Sequence, residues 1–158
     1  MQGGRRGQSH RRRHREDPQF AIIAYGKLGG KELGYASDLD IVFVYDDPAP
    51  EAAENYARLA QRINNWLTSV TAAGILYETD LRLRPDGVSG LLVTPLDTMR
   101  RYQLQQAWLW EHQALTRARA VAGDAAIGRA FEQLRIEVLC APREQAARLP
   151  HPRRSRGR

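Results

Sequence analysis

Cysteine is almost absent from this chain of 158 residues, and the single thiol of Cys140 excludes an internal disulfide. No stretch approaches the roughly 20 consecutive apolar residues that a membrane-spanning helix needs. The amino-terminal residues also lack the apolar core of a secretory signal peptide. These absences predict a cytoplasmic protein without a membrane anchor, and the length fits one small domain.

Acidic residues are scarce at both ends of the chain. Residues 1–16 and residues 143–158 each contain six arginines and one glutamate, whereas the net charge of the whole chain is only +6, so the central part is acidic. Residues 1–17 have too few apolar side chains to offset chain entropy, and we predict that they form a disordered basic arm. Binding of nucleic acid by this arm is an alternative, but the arm lacks aromatic residues for base stacking and the centre is acidic.

A glycine-rich turn followed by two aspartates on a predicted strand occupies residues 26–45. Side chains alternate across a strand, so Asp38 and Asp40 share one face with Val42 and Val44. Two carboxylates this close repel each other unless a cation lies between them, and hard oxygen ligands suit Mg²⁺. Because Asp-x-Asp also occurs at solvated turns, a metal site needs support from a second segment.

A second alternating segment covers residues 75–84, and we predict one strand whose mainly apolar face packs in the core. Paired with the first strand, it would bring Asp80 and the guanidinium groups of Arg82 and Arg84 to the surface that carries Asp38. Three carboxylates, Mg²⁺ and arginines are the groups that nucleotidyl transfer needs. A solvated outer face would explain the charges equally well if the segment stood alone.

The glycine turn predicts a phosphate site. Gly26, Gly29 and Gly30 permit positive φ and let backbone N–H groups approach a ligand closely. The turn is not a Walker A loop, because the Gly-Lys-Ser/Thr ending is missing and Lys27 and Lys31 stand outside that spacing. A glycine-rich hairpin with nothing bound is the alternative.

Apolar periodicity predicts the remaining elements. They are a buried strand over 20–25, a helix over 51–73, a strand over 91–93, a helix over 95–106, and helical segments over 108–122 and 124–139. We expect Trp66 in the core, Gly74 as a helix cap, and a capping box at Thr94 with proline in the first helical position. Arg117 and Arg119 do not share a helical face, so at most one is expected to reach a nucleotide.

Three motifs together resemble the glutamine synthetase adenylyltransferase family, and the likeness covers residues 20–139. They are Gly-Lys-Leu-Gly-Gly-Lys-Glu-Leu at 26–33 with Ser-Asp-Leu-Asp at 37–40, Asp-Leu-Arg-Leu-Arg-Pro at 80–85, and Trp-Leu-Trp-Glu-His-Gln-Ala-Leu at 108–115. The resemblance implies an α+β protein with a DNA polymerase β-like nucleotidyltransferase fold, in which a mixed sheet is packed by helices and a helical C-terminal part follows.

The family carries two such domains, and residues 30–40 together with residues 110–115 resemble the C-terminal copy. The resemblance implies that this copy transfers AMP from ATP to a tyrosine of glutamine synthetase and releases pyrophosphate, thereby regulating nitrogen assimilation. The deadenylylating copy, which acts by phosphorolysis, is the alternative.

The resemblance also implies the roles of the site residues. Asp38, Asp40 and Asp80 would be catalytic and would ligate two Mg²⁺ ions, with Asp80 as a candidate acceptor of the tyrosine proton. The implied nucleotide and phosphate contacts come from Lys27, Gly29, Gly30, Ser37, Arg82 and Arg84.

From residue 141 onward the resemblance stops. The expected organisation is a basic arm over 1–17, a catalytic core over 18–94, a helical segment over 95–140 and a disordered basic tail over 141–158. The family would continue into helical regions that contact glutamine synthetase and PII-type signalling proteins, so those binding regions are expected to be missing. We therefore expect a truncated or frame-shifted product, and an inactive nucleotide-binding fragment is a further alternative.

Overall fold

The computed structural model describes residues 17–72, 74–85 and 91–141, which combine helices with a mixed sheet. The strands are β1 (Phe20–Ala24), β2 (Leu39–Tyr45), β3 (Val70–Thr71), β4 (Gly74–Ile75), β5 (Thr79–Asp80), β6 (Val93–Pro95) and β7 (Arg119–Gly123). The helices are α1 (Gly26–Gly29), α2 (Ala52–Leu67), α3 (Leu96–Gln105), α4 (Leu109–Leu115) and α5 (Ala125–Cys140). The predicted α+β class is confirmed.

The main sheet is built around β2. Strand β1 pairs antiparallel with β2, and β7 pairs antiparallel with β1. Two strands share the other edge of β2: β5 runs parallel to it at Leu39 and Asp40, and β6 runs parallel to it at residues 43–45. Strands β3 and β4 form a separate two-stranded sheet. The start of β2 is therefore the place where segments from different parts of the sequence meet.

Strand β2 is apolar on both faces because helices cover both. Val42 and Val44 lie in a buried cluster with side chains of α3, α4 and α5. Ile41 and Phe43 lie in a second cluster, which includes Tyr56 of α2. The alternation predicted for this strand is confirmed, and it assigns Asp40 to the face of the two valines.

Helix α5 closes the core as its sequence predicts. The Asp124 side chain accepts hydrogen bonds from the backbone N–H groups of Ala126 and Ile127, at 2.7 and 2.9 Å, and so caps the helix. Four side chains at helical spacing are buried, as predicted: Ile127, Phe131, Leu134 and Val138.

Helix α2 is shorter than predicted. It ends at Leu67. The hydroxyl groups of Thr68 and Ser69 donate hydrogen bonds to the carbonyl oxygens of Asn64 and Asn65, and such side-chain bonds to the backbone compete with further helical turns. The prediction that Trp66 lies in the core was wrong, since its side chain is 69% exposed. Gly74 does not cap this helix; it lies in β4 with φ +111°.

The segment after β4 is not one continuous strand, so that prediction was wrong. Only Thr79 and Asp80 pair with β2. Continued pairing would set residue 83 against Phe43, but Phe43 pairs with Val93 of β6. Because β6 occupies this edge, β5 stops after two residues. The large apolar side chains before β5 are exposed instead of packed: Ile75, Leu76 and Tyr77.

Two predictions about the C-terminal half were also wrong. Residues 119–123 form β7 instead of continuing a helix, because they pair with β1, which has an open edge there. Helix α3 begins at Leu96 with Pro95 as its N-cap, and no side chain caps it, so the predicted capping box is not formed. The strand predicted over 91–93 lies at Val93–Pro95.

None of the helices in the described part of the chain is long and apolar enough to cross a membrane. The predicted basic arm and basic tail lie almost wholly outside the described residues.

Candidate active site

Three carboxylates meet where β2 and β5 run side by side. Asp38 directly precedes β2, Asp40 is its second residue, and Asp80 ends β5. Asp40 and Asp80 are register partners in the parallel pair. Each of the three offers one oxygen, and these oxygens lie within 4.8 Å of one another. The sequence prediction that Asp80 joins the other two acids is confirmed.

Asp40 is the acid of this cluster whose ionised form is disfavoured by its surroundings. Its pKa is raised, first by partial burial and then by the negative charges of Asp38 and Asp80. Lys27 and Arg82 act in the opposite direction without cancelling the rise. Lys27 and Arg82 offset only part of the negative charge on these three hard oxygen ligands, and a divalent cation would neutralise the rest, so the donor set fits Mg²⁺.

Asp80 has a different environment from Asp40 because it is held by Arg82. The Arg82 Nε donates to both carboxylate oxygens, at 3.0 and 2.9 Å, and the Arg82 backbone N–H donates to Asp80 Oδ1 at 2.9 Å. These hydrogen bonds lower the pKa of Asp80. The Arg82 side chain is 76% exposed, so it can turn away from Asp80 without disturbing the core.

The glycine turn packs directly against the acids. Gly26 has φ +53°, and a Cβ there would lie 2.2 Å from Asp40 Oδ2, so only glycine leaves room for this carboxylate. The Lys27 ammonium on the same turn lies 3.9 Å from Asp38 Oδ1. The turn therefore supplies both the space for Asp40 and a cation beside Asp38.

Gly29 and Gly30 serve close packing in this structure. The N–H of Gly29 donates to the Tyr25 carbonyl at 2.8 Å, and the N–H of Gly30 donates to the Gly26 carbonyl at 2.9 Å. Gly30 has φ −76°, so of the three glycines the left-handed conformation belongs to Gly26. A phosphate-binding role for Gly29 and Gly30 stays a prediction.

Two arginines hold the glycine turn in place, a function that the sequence did not reveal. Arg119 of β7 donates from Nε to the Gly29 carbonyl at 2.9 Å and from its terminal nitrogen to the Leu28 carbonyl at 3.1 Å. Arg117 forms an ion pair with Glu32. No local pattern could have found these contacts, because they join segments about 90 positions apart.

The remaining predicted site residues lie close to the cluster in sequence and make local hydrogen bonds. The Ser37 hydroxyl accepts from the Gly34 N–H at 3.2 Å. Arg84 donates to the Leu81 carbonyl. Their contacts with a nucleotide stay predictions.

A family comparison agrees with the motifs. The family model for glutamate-ammonia ligase adenylyltransferase matches residues 2–134. The chain belongs to this family. The matched range contains the three acids, the glycine turn and both arginines that hold it, and it begins before residue 20, where the recognisable motifs start.

Curated members of the family match at high identity. A bifunctional glutamine synthetase adenylyltransferase/adenylyl-removing enzyme of Aromatoleum aromaticum is 75% identical over 135 residues, which cover 85% of this chain and 14% of the relative. Proteins of the same name from Nitrosomonas europaea and Chromobacterium violaceum are 66% and 63% identical, covering 87% and 85% of this chain and 15% of each relative. The chain thus spans about 15% of the length of the curated relatives that it matches.

The raised pKa of Asp40 predicts a pH-dependent affinity for Mg²⁺. A protonated carboxyl group is a poor ligand, so the Mg²⁺-induced rise in Tm should weaken as the pH falls, starting above the ordinary aspartate pKa of about 3.9.

Asp40 and Asp80 change the stability of the metal-free fold with pH in opposite directions. Ionised Asp40 costs stability as the pH rises through its pKa, whereas Asp80 stabilises the fold at higher pH and loses that effect as the pH falls through its lowered pKa.

Thermal denaturation with and without Mg²⁺ across a pH series measures this effect. In the variant Asp40→Asn, addition of Mg²⁺ should raise Tm only slightly, and this Mg²⁺ effect should depend little on pH. A Mg²⁺ effect in the native chain that stays constant down to the ordinary aspartate pKa would contradict the prediction.

Proposed function

We propose that this chain transfers AMP from ATP to a tyrosine of glutamine synthetase and releases pyrophosphate. The observation that supports it most is the cluster of Asp38, Asp40 and Asp80, formed across two parallel strands in a member of the adenylyltransferase family. The relatives are named for adenylylation and for adenylyl removal. We assign the adenylylating activity because residues 30–40 and 110–115 resemble the C-terminal copy of the family.

The fold that we propose is the DNA polymerase β-like nucleotidyltransferase fold. A mixed sheet with one acid directly before a strand, a second on that strand and a third on the neighbouring parallel strand supports this assignment. Helix α2 supplies the connection that a parallel pair requires between β2 and β5.

In the mechanism, Asp38, Asp40 and Asp80 would hold two Mg²⁺ ions. When bound, Mg²⁺ polarises the α-phosphate and lowers the pKa of the attacking hydroxyl group. Lys27 and Arg82 would neutralise phosphate charge, and the exposed side chain of Arg82 can leave Asp80 to do so. Freed from Arg82, Asp80 can accept the tyrosine proton.

The reaction then exchanges one bond at phosphorus for another. The tyrosine oxygen bonds to the α-phosphorus while the bond from that phosphorus to the bridging oxygen of the β-phosphate breaks. The proton moves to Asp80, and the negative charge leaves with pyrophosphate. While β5 is paired with β2, the three acids already lie together, so the step itself needs little reorganisation.

The test is transfer of radiolabelled AMP from α-labelled ATP to purified glutamine synthetase in the presence of Mg²⁺. Label on glutamine synthetase together with released pyrophosphate is the expected result. Release of label from adenylylated glutamine synthetase by inorganic phosphate, without forward transfer, would instead identify the deadenylylating copy. Stabilisation by Mg²⁺ and ATP without either reaction would identify a nucleotide-binding fragment and contradict the proposal.

A further inference from the structure

An apolar groove of about 750 Å³ opens on the surface between residues 33–37 and residues 75–78, the segments that precede Asp38 and Asp80. We define the apolar groove by the side chains Leu33, Tyr35, Ile75, Leu76, Tyr77 and Glu78 along its walls. Ser37 also lines it and is followed directly by Asp38. None of the three acids lines the groove itself, but Ser37 leads directly into Asp38 and Glu78 lies two residues before Asp80, so both walls continue into the candidate active site.

The two walls of the groove are the segments that lead into β2 and β5. Because these strands are parallel, both segments enter the sheet at the same end. The backbone N–H of Leu39 donates to the Glu78 carbonyl at 2.8 Å and joins the walls at their base. A ligand lying along the groove would thus approach Asp38, Asp40 and Asp80 from the open end of the parallel pair.

The groove exposes apolar side chains that a folded protein ordinarily buries. Tyr35 is fully exposed, and Ile75 and Leu76 are 60% and 51% exposed. The exposed surface continues onto the neighbouring strand, where Val70 pairs with Ile75 and is 78% exposed. Contiguous apolar exposure beside a polar site marks a surface that binds a partner.

The chemistry of the lining indicates what binds there. Among the described residues, the lining contains no lysine or arginine that could pair with the triphosphate of ATP. An adenine ring is a single flat group, whereas the exposed surface extends from Tyr35 across to Val70. A polypeptide segment with apolar side chains matches both the extent and the character of this surface.

We propose that the apolar groove docks the segment of the acceptor protein that carries the target tyrosine. This inference rests on the proposed function, because a protein acceptor must bring its hydroxyl group to the acids. The segment would pack on Ile75 and Tyr35 while its tyrosine side chain reaches past Ser37 to Asp38.

The experiment compares three single variants of the full 158-residue chain. Ile75→Ser and Tyr35→Ser remove apolar surface from the groove at exposed positions, so both should fold. Ile136→Ser on α5 is the matched control, because Ile136 is 56% exposed, close to the 60% of Ile75, and does not line the groove. Binding to immobilised glutamine synthetase and binding of Mg²⁺-ATP are measured separately, without relying on turnover.

The expected result is a loss of about tenfold or more in affinity for glutamine synthetase in each groove variant, the effect of removing an apolar anchor from an interface. Affinity for Mg²⁺-ATP should change by less than about twofold in the same variants, and Ile136→Ser should match the native chain in both measurements.

Three outcomes would overturn the groove assignment. Weaker Mg²⁺-ATP binding with unchanged acceptor binding would assign the groove to the adenine base. Unchanged binding of both ligands, or no acceptor binding by the native chain, would leave the groove to another occupant, such as further chain of the longer relatives. The label-transfer assay separates the two proposals. If the native chain transfers AMP and the groove variants bind the acceptor normally, the groove assignment alone is rejected. If the groove variants lose acceptor binding but the native chain transfers no AMP, the proposed activity alone is rejected.

Discussion

Replacing Asp40 with asparagine is expected to lower AMP transfer by at least about a thousandfold, the scale of losing one essential charge-stabilising group. The substitution keeps the size of the side chain but removes the charge that a metal ligand needs. The fold should not suffer, because the raised pKa of Asp40 shows that its ionised form is disfavoured by burial and by Asp38 and Asp80. The Tm of the metal-free variant should therefore equal or exceed that of the native chain at neutral pH.

The measurements are the initial rate of label transfer and thermal denaturation of the same preparation. Asp46→Asn is the matched control, since Asp46 is an exposed residue just after β2 and stands apart from the acid cluster. It should transfer AMP at the native rate. A folded Asp40→Asn variant with an unchanged rate would exclude the acid cluster from the reaction.

The second large effect is expected from Gly29→Ala, which should destabilise the fold by about 3 kcal/mol or more. A Cβ at this position would lie 1.8 Å from the Arg117 carbonyl oxygen and 2.7 Å from that of Ala24. Both atoms belong to the backbone, so neither can move aside by changing a rotamer. The glycine turn would have to separate from the segment just before β7 or from β1, and either shift would also disturb the contact of Gly26 with Asp40.

Urea denaturation provides the free energy of unfolding for this variant. Gly34→Ala is the matched control, because a Cβ at Gly34 would meet the Ser37 hydroxyl oxygen at an ordinary contact distance of 3.7 Å. Its effect should stay within about 0.5 kcal/mol. Equal stabilities of the two alanine variants would show that the turn is looser than its contacts indicate.

The acid cluster could be predicted because its signals are local. Alternation along β2 assigns Asp40 to one face of the strand whatever its neighbours are. The same alternation assigns the side chain of Asp80 to a face of β5, although only Thr79 and Asp80 of that strand join the sheet. Helix α5 was predictable for the same reason, since a capping aspartate and a stripe at helical spacing agree.

The length of each pairing between distant segments, and the pairing of β7 with β1, could not be predicted. The length of β5 is set by β6, which takes the next positions on β2, and nothing in residues 75–84 encodes that competition. Residues 119–123 have a composition that suits a helix, but the open edge of β1 makes them a strand. The contacts of Arg117 and Arg119 with the glycine turn could not be predicted for the same reason, because Arg119 meets Leu28 and Gly29 only in the folded chain.

The short pairing of β5 with β2 has a consequence for local unfolding. Only two residues of β5 join the sheet, whereas β1 joins β2 along five and lies over the buried core. Proteins open first where few contacts hold a segment, so Asp80 can separate from Asp38 and Asp40 while the rest of the sheet stays intact. Amide hydrogen exchange should accordingly be faster at Leu39, whose N–H bonds to Glu78, than at Ile23 in the core. The three acids would then be assembled by a rapid local equilibrium instead of by global folding.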